Sequence, residues 1–144
     1  MIKFGSALFA LASAAALLAP NPAAADGALA VGSTGDVVKD GIAMGDGYNY
    51  PSTQEAIDRA LQECRKPGGA GAGALAACMI VATFKGQCDA TALDTAAGTP
   101  GAGWAIAEDQ ATAESRAIAN CQATAGVNRR QYCKIIHSNC DTPQ

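Results

Sequence analysis

Apolar and polar residues of this chain alternate in two patterns, one typical of amphipathic helices and one typical of short strands. Apolar residues recur at helical spacing over residues 56–64 and again over 113–121, which predicts two helices with one apolar face each. The first begins at Ser52, where Glu55 completes a capping box, and the second begins at Asp109. Each predicted helix ends near a cysteine.

Short runs of strand-forming residues surround each helix, two before it and one after it. The predicted strands are residues 26–33, 41–44, 78–84, 89–94, 102–108 and 133–138. Residues 45–51 are rich in Gly, Asp and Asn and predict a loop. Residues 68–77 and 123–132 predict linkers between each helix and its returning strand.

The order strand, strand, helix, strand therefore occurs twice, and the helices align without a gap. Ser52 then matches Asp109, and Cys64 matches Cys121. We interpret this as an internal duplication of a ββαβ unit, with repeats at about 26–88 and 89–140. The predicted fold class is α+β: a largely antiparallel sheet with two helices packed on it, stapled by disulfides.

The N-terminus has the pattern of a secretory signal peptide. Lys3 is the only charged residue before Asp26, residues 7–18 are apolar, and the segment closes on Ala23-Ala24-Ala25. We expect cleavage after Ala25, which leaves residues 26–144 as a single domain, exported to the periplasm or the medium. The alternative, a membrane anchor, is disfavoured because the apolar run is too short to span a bilayer.

Composition narrows the possible partners. The net charge is −3 at pH 7, which argues against a nucleic-acid or anionic-membrane surface. Aromatic residues make up 5% of the chain, so the core is built from small side chains, which stabilise a fold weakly per residue. We expect disulfides to compensate, because all six cysteines lie in the exported part.

Six cysteines allow many pairings, and the repeated pattern favours three. A cysteine at a helix end and one at the start of the returning strand predict Cys64–Cys78 and Cys121–Cys133. The remaining pair, Cys88–Cys140, would then join the two units. The main alternative pairs the helix cysteines, Cys64 with Cys121.

Sequence motifs for cofactors and nucleophiles do not fit their required context. Neighbouring cysteines lie too far apart for a zinc knuckle, and His137 is the only histidine, so we predict no metal site, no cofactor and an ordinary strand role for His137. The glycine run 69–74 follows a helix, whereas a phosphate-binding loop follows a strand. No nucleophile elbow is found.

Three groups of side chains carry weaker functional hypotheses. Loop carboxylates could serve a hydrolase or simply be solvated; they are Asp36, Asp40, Asp46, Glu108 and Asp109. Arg59 and Arg116 occupy matching helix positions and could mark a repeated anion site or a charged helix flank. Tyr48, Tyr50 and Trp104 lie near the strand-to-helix junctions and could form a contact surface, although core packing is the simpler role for Trp104.

Several segments together form a recognisable pattern. They are the helix end Ala60-Leu61-Gln62-Glu63-Cys64, the strand from Cys78 through Phe84 to Cys88, and the segments around Trp104, Arg116 and Cys133. With them the sequence resembles the DUF4189 family of exported bacterial proteins. The resemblance covers nearly all of the predicted mature chain, from about Gly27 to Cys140, and implies an exported protein, with no catalytic residues to transfer.

Together these patterns predict a small exported binding or interaction module without catalysis. Its partner would be an unidentified protein or small ligand in the envelope or outside the cell. The alternative is a secreted hydrolase that uses loop carboxylates. A concave pocket holding titratable groups with perturbed pKa values would favour an enzyme, and a flat or apolar patch would favour a binding module.

Overall fold

The structure, a computed structural model, describes residues 26–141, so the predicted signal peptide lies outside the described residues. Each half of this range folds as two strands, a helix and a third strand. The strands are β1 Asp26–Gly32, β2 Ala43–Tyr50, β3 Met79–Lys85, β4 Cys88–Asp94, β5 Ala102–Ala107 and β6 Cys133–Cys140. The helices are α1 Val37–Asp40, α2 Thr53–Cys64, α3 Ala72–Ala76, α4 Gln110–Thr124 and a 3₁₀ helix at Val127–Tyr132.

The strands form two three-stranded antiparallel sheets that share one topology. Their orders are β2-β1-β3 and β5-β4-β6, so the first strand of each half lies in the centre. Both sheets carry a bulge at the same place, where the last strand of the half skips Val81 in one sheet and Ile136 in the other. The α+β class with disulfide staples is confirmed, whereas the duplication in sequence stays a prediction.

One long helix packs on the outer face of each sheet, through small side chains. Ala28 and Ala30 of β1 lie in one buried cluster with Ala56 and Ala60 of α2. The second half repeats this arrangement with buried alanines of β4, β5 and α4. Because alanine projects so little from the backbone, strand and helix approach closely. Larger side chains such as Leu61 and Ile118 pack against these clusters and are only partly buried.

The sheet faces without helices meet in the middle of the molecule. Leu29 is fully buried although its neighbours Ala28 and Ala30 face α2. In the same way Asp89 and Thr91 are buried while Ala90 faces α4. Since side chains alternate along a strand, these three residues lie between the sheets, and the molecule has four layers: helix, sheet, sheet, helix.

Three sequence-based expectations need correction. Residues 45–50 are strand, not loop, because Gly45 and Gly47 let β2 continue against α2 where any side chain would meet helix backbone. Both predicted linkers contain helical turns, at Ala72–Ala76 and Val127–Tyr132. The six strands are divided between two sheets, each with its own helix, and do not form one continuous sheet.

The described residues contain three disulfides, Cys64–Cys78, Cys88–Cys140 and Cys121–Cys133. These are the pairs that the sequence favoured, and the Cys64–Cys121 alternative is not formed. The expected role of Cys88–Cys140 was wrong, however. Cys88 begins β4 and lies opposite Cys140 on β6, so this bridge closes the second sheet and does not join the two units.

The two halves are joined by polar contacts instead. The buried Asp141 carboxylate accepts hydrogen bonds from the backbone N–H groups of Asn49 and Gly86, both at 3.0 Å. It thereby fixes the end of β2 and the β3–β4 turn against the end of β6. Within residues 26–141, no helix is long and apolar enough to cross a bilayer.

Candidate functional site

A cleft of about 670 Å³ opens where the edge strand β2 of the first sheet meets the edge strand β6 of the second. Residues of both sheets and of α2 line it. They are Leu29, residues 44–50, Arg59, Glu63, Thr91, Ile136 and His137. The exposed Tyr48 ring lies 6.4 Å from the His137 ring, centroid to centroid. Polar and aromatic groups from both halves therefore face one cavity.

Four polar side chains lie together beside this cleft, and two of them, Asp46 and His137, line it. Asp46 Oδ2 is hydrogen-bonded to His137 Nε2, and Asn139 donates its amide to Asp46 Oδ2 at 3.3 Å. The Asn139 amide also contacts His137 Nε2. The fourth, Asp89, comes from the central strand β4 beneath them, and we call these four residues the polar cluster.

Asp89 is the least solvated member of the polar cluster. It is 0% exposed, and neither of its carboxylate oxygens has a hydrogen-bond partner within residues 26–141. Burial raises the pKa of Asp89 to about 7, with the negative charge of Asp46 adding to the effect. An unpaired carboxyl in such a place carries a free-energy cost that the rest of the fold has to offset.

His137 is half-buried and polarised by its neighbours. Its hydrogen bond to Asp46 raises the pKa of His137, and burial acts in the opposite direction. The imidazole side chain is 37% exposed and the Asp46 side chain 13% exposed. The polar cluster is thus closed below, at Asp89, and open towards the cleft.

Each residue of the polar cluster has an equivalent position in the opposite half of the molecule, and the strand registers identify it. Leu29 lies between Asp46 and Ala82 in its sheet, just as Thr91 lies between Trp104 and His137. By these registers Asp46 corresponds to Trp104, and His137 corresponds to Ala82.

The remaining two members of the polar cluster have apolar counterparts as well. Gly27 pairs with Phe84 where Asp89 pairs with Asn139. The Phe84 ring lies over Gly27, within 2.2 Å of where a Cβ would be. All four polar positions are therefore apolar in the matching half, so the shared topology does not require the polar cluster.

The residues expected to form a contact surface are separated. Tyr48 and Tyr50 both line the cleft. Trp104 lies on β5, on the other side of β4 from His137, and borders a different depression with Arg116 and Asn120. The tyrosines remain candidates for ligand contact, and Trp104 is not brought to them.

Most of the suggested loop carboxylates have structural partners. Asp36 and Asp109 cap the N-termini of α1 and α4, accepting from Lys39 N and Thr112 N. Asp40 accepts from the Thr34 hydroxyl, and Glu108 accepts from the Gln87 amide. Of the five, only Asp46 reaches the cleft, and it does so from a strand.

The two arginines at matching helix positions differ in their surroundings. Arg59 lines the cleft and forms an ion pair with Glu63 on its own helix, with Nη2 and Oε1 2.5 Å apart. Arg116 is exposed and lies at the depression beside Trp104. A repeated anion site is therefore not formed.

Sequence reasoning missed Asp89 and Asn139. Asp89 lies between Cys88 and Ala90 in a run of small residues, where strand alternation places it on a face that would ordinarily be solvated. The only signal was an acidic residue between small residues near the start of the strand. That signal becomes informative only when a second sheet is known to cover the face.

Three members of the polar cluster could hold a metal ion. One carboxylate oxygen from each of Asp46 and Asp89, and one His137 nitrogen, lie within 4.8 Å of one another. Imidazole and carboxylate groups are typical ligands of divalent transition metals. The sequence analysis had predicted no metal site, because it considered only cysteine spacing and a single histidine.

Fold and site together define a disulfide-stapled α+β domain with a polar cleft between two sheets. Residues 27–140 match the model of a domain of unknown function, DUF4189, and the chain belongs to that family. The resemblance seen in the sequence is thereby confirmed. Comparisons with curated proteins and with solved structures gave no match.

Proposed function

We propose that this protein is an exported binding module that takes a small polar ligand in the cleft between its two sheets. The observation that supports this most directly is the polar cluster, which occupies positions that are apolar in the matching half of the fold. Polar groups at a costly buried position are more often retained for function than for stability.

The lining of the cleft suits recognition of a small molecule. Tyr48 and Tyr50 offer flat rings with polar ends. Arg59, Glu63 and His137 offer charged or hydrogen-bonding groups, contributed by α2 and β6. A few polar groups converging on a concave surface are typical of ligand sites.

A second candidate is hydrolysis, and the pKa of Asp89 favours it. A concave pocket with perturbed titratable groups is the form that we associated with an enzyme, and the cleft has that form. Asp89, with its pKa raised to about 7, could donate a proton while the Asp46–His137 pair accepts one. We rank binding first because Asp89, the proposed proton donor, is 0% exposed and is not among the residues that line the cleft.

The test is an NMR titration of the oxidised, ¹⁵N-labelled protein in the presence of EDTA. The probes are amino acids, dicarboxylates, monosaccharides and nucleosides, each added singly. We expect at least one probe to shift amide signals of residues 44–50 and 136–139 saturably. Tyr48→Ala should weaken that binding about tenfold, because the ring is a main contact.

Tyr132→Ala is the matched control, because Tyr132 is exposed and lies outside the cleft. It should leave the titration unchanged. The same samples are assayed with chromogenic ester, phosphate and glycoside substrates. Turnover that disappears in Asp46→Asn would replace the binding proposal by the hydrolase, and no shift with any probe would contradict binding of these small-molecule classes.

A further inference from the structure

The polar cluster contains a carboxylate that the protein's own hydrogen bonds do not explain. Asp46 Oδ2 is hydrogen-bonded to His137 Nε2 and accepts from the Asn139 amide. Asp89 lies beside them at 0% exposure, with both oxygens unpartnered among the described residues. If the cluster were only a link between the sheets, the Asp46–His137 pair would suffice, and a second, fully buried acid beside it would not be needed.

A cation is the ligand that would satisfy all of these groups at once. Two carboxylates and one imidazole present two negative charges to one point, and a divalent ion balances them. It would supply the missing partner of Asp89 and compensate the cost of burying its charge.

The donor set selects among cations. Imidazole nitrogen favours zinc and its neighbours over calcium and magnesium, which prefer sites made wholly of oxygen. All six cysteines are oxidised, so no thiolate is present for a soft metal such as copper(I). Zn²⁺ is commonly held by three protein ligands of the His and Asp/Glu type with one position open.

We propose that Asp46, Asp89 and His137 form a binding site for a divalent transition-metal ion of the zinc type. This rests on the proposed function, because it names the ligand class of the same cleft. The ligands come from β2, β4 and β6, so the ion joins the two sheets at the point where their edges meet.

The geometry is close to what such an ion needs. The three donor atoms lie within 4.8 Å of one another. Ligands at about 2.1 Å from a metal lie about 3 to 4 Å apart, so side-chain shifts of less than about 1 Å complete the site. Asp89 forms its floor, while Asp46 and His137 form the wall towards the cleft.

The experiment is isothermal titration of the oxidised, EDTA-treated protein with Zn²⁺, and in parallel with Mn²⁺, Ca²⁺ and Mg²⁺. We expect one Zn²⁺ ion per chain, weaker binding of Mn²⁺, and none of Ca²⁺ or Mg²⁺ at matched concentrations. Asp89→Asn and His137→Gln should each lower Zn²⁺ affinity at least about a hundredfold, because each removes a direct ligand.

Asp58→Asn is the matched control, since Asp58 is an exposed carboxylate on α2 outside the cleft. The Zn²⁺ affinity of the Asp58→Asn variant should equal that of the wild type. His137 is the only histidine, so a shift of its imidazole ¹⁵N signals when Zn²⁺ is added to the wild type reports coordination directly. This measurement does not depend on whether the ligand variants fold. Absence of Zn²⁺ binding, or binding that survives both ligand substitutions, would overturn the metal site.

The two proposals fail separately. The organic probes are titrated in the presence of EDTA. If the cleft binds one of them but the protein does not bind Zn²⁺, only the metal-site proposal is contradicted. Zn²⁺ binding lost in Asp89→Asn, with no organic probe bound, supports the metal site and limits the cleft's ligand to the ion.

Discussion

Burying a carboxylate without a hydrogen-bond partner destabilises a fold, and this protein does so in the middle of β4. Asp89 lies under a second sheet, beside another acid, and no residue in the described part of the chain donates to either of its oxygens. The alternating neighbours Cys88 and Ala90 are ordinary core residues. Under the proposal made above, Asp89 lowers the stability of the fold in exchange for binding.

Asp89→Asn should therefore stabilise the metal-free protein. The folded-state pKa of Asp89, about 7, lies above its unfolded value of 3.8, so the ionised form opposes folding. The gain should grow as pH rises from 3.8 to about 7 and reach about 1–3 kcal/mol at pH 8 in urea unfolding. Asp58→Asn is the control, with a change below about 0.5 kcal/mol. Loss of stability in Asp89→Asn would mean that the carboxylate has an unrecognised partner.

The pKa of Asp94 is shifted in the opposite direction to that of Asp89. The Arg129 guanidinium donates to both carboxylate oxygens of Asp94, with Nε 2.5 Å and Nη2 2.9 Å away. These hydrogen bonds hold the pKa of Asp94 at about 2. Arg129 also lies 4.6 Å above the Tyr132 ring, so this contact anchors the 3₁₀ helix to the end of β4.

The Asp94 contact predicts a specific acid sensitivity. Because the pKa is lowered in the folded state, the stabilisation is complete above pH 3.8 and is lost as pH falls through about 2. Wild type should be more stable than Asp94→Asn at pH 6, and the difference should shrink towards zero near pH 2. Equilibrium unfolding at several pH values measures it. A difference independent of pH would show that the ion pair contributes nothing.

At the scale of elements, the close approach of each helix to its sheet depends on glycine. A Cβ at Gly103 would lie 2.2 Å from Cys121 N and 2.5 Å from Ala117 O. A Cβ at Gly45 would lie 2.1 Å from Cys64 N and 2.5 Å from Ala60 O. The same position carries the same constraint in both halves, and in each case the obstacle is helix backbone, which cannot rotate away.

Gly103→Ala should therefore cost about 3 kcal/mol of unfolding free energy, because α4 must move away from β5. Urea unfolding followed by circular dichroism measures the loss. Gly69→Ala serves as the control, since nothing lies within 4 Å of its added Cβ, and it should change stability by less than about 0.5 kcal/mol. Equal effects of the two substitutions would contradict this packing.

At the scale of the whole molecule, the disulfides close each half and the polar contacts join them. In the first sheet, Asp26 pairs with Lys85 at the position where Cys88 pairs with Cys140 in the second. An ion pair, with Nζ and Oδ1 2.9 Å apart, replaces the bridge. The second half is therefore more strongly cross-linked, and its bridges should dominate resistance to unfolding.

Removing Cys88–Cys140 by double substitution to alanine should cost more than removing Cys121–Cys133. The first spans 52 residues and the second 12, and loop entropy predicts about 4 and about 3 kcal/mol respectively. The unfolding free energies of the two double variants, each obtained from its own urea midpoint and m value, measure this order. A larger loss from the shorter loop would show that local packing, and not loop length, sets the effect.

Much of this fold could be predicted from local patterns. The apolar spacing and the Ser52 and Asp109 caps located α2 and α4. The repeated order of elements pointed to the cysteine pairs that the structure contains. These features are local because capping, periodicity and short loops act within a few residues. The extension of β2 through Gly45 and Gly47 could not be predicted, since it depends on the approach of α2.

The candidate site lay beyond such reasoning. His137 and Asp46 are 91 positions apart, and Asp89 resembled a solvent-facing residue on its strand. The sequence by itself determined the elements of each half, their order and their cross-links. Only the tertiary structure decided that the two open sheet faces cover each other, because which face of a strand meets water depends on packing between distant segments. That contact buries Asp89 and brings the polar cluster together.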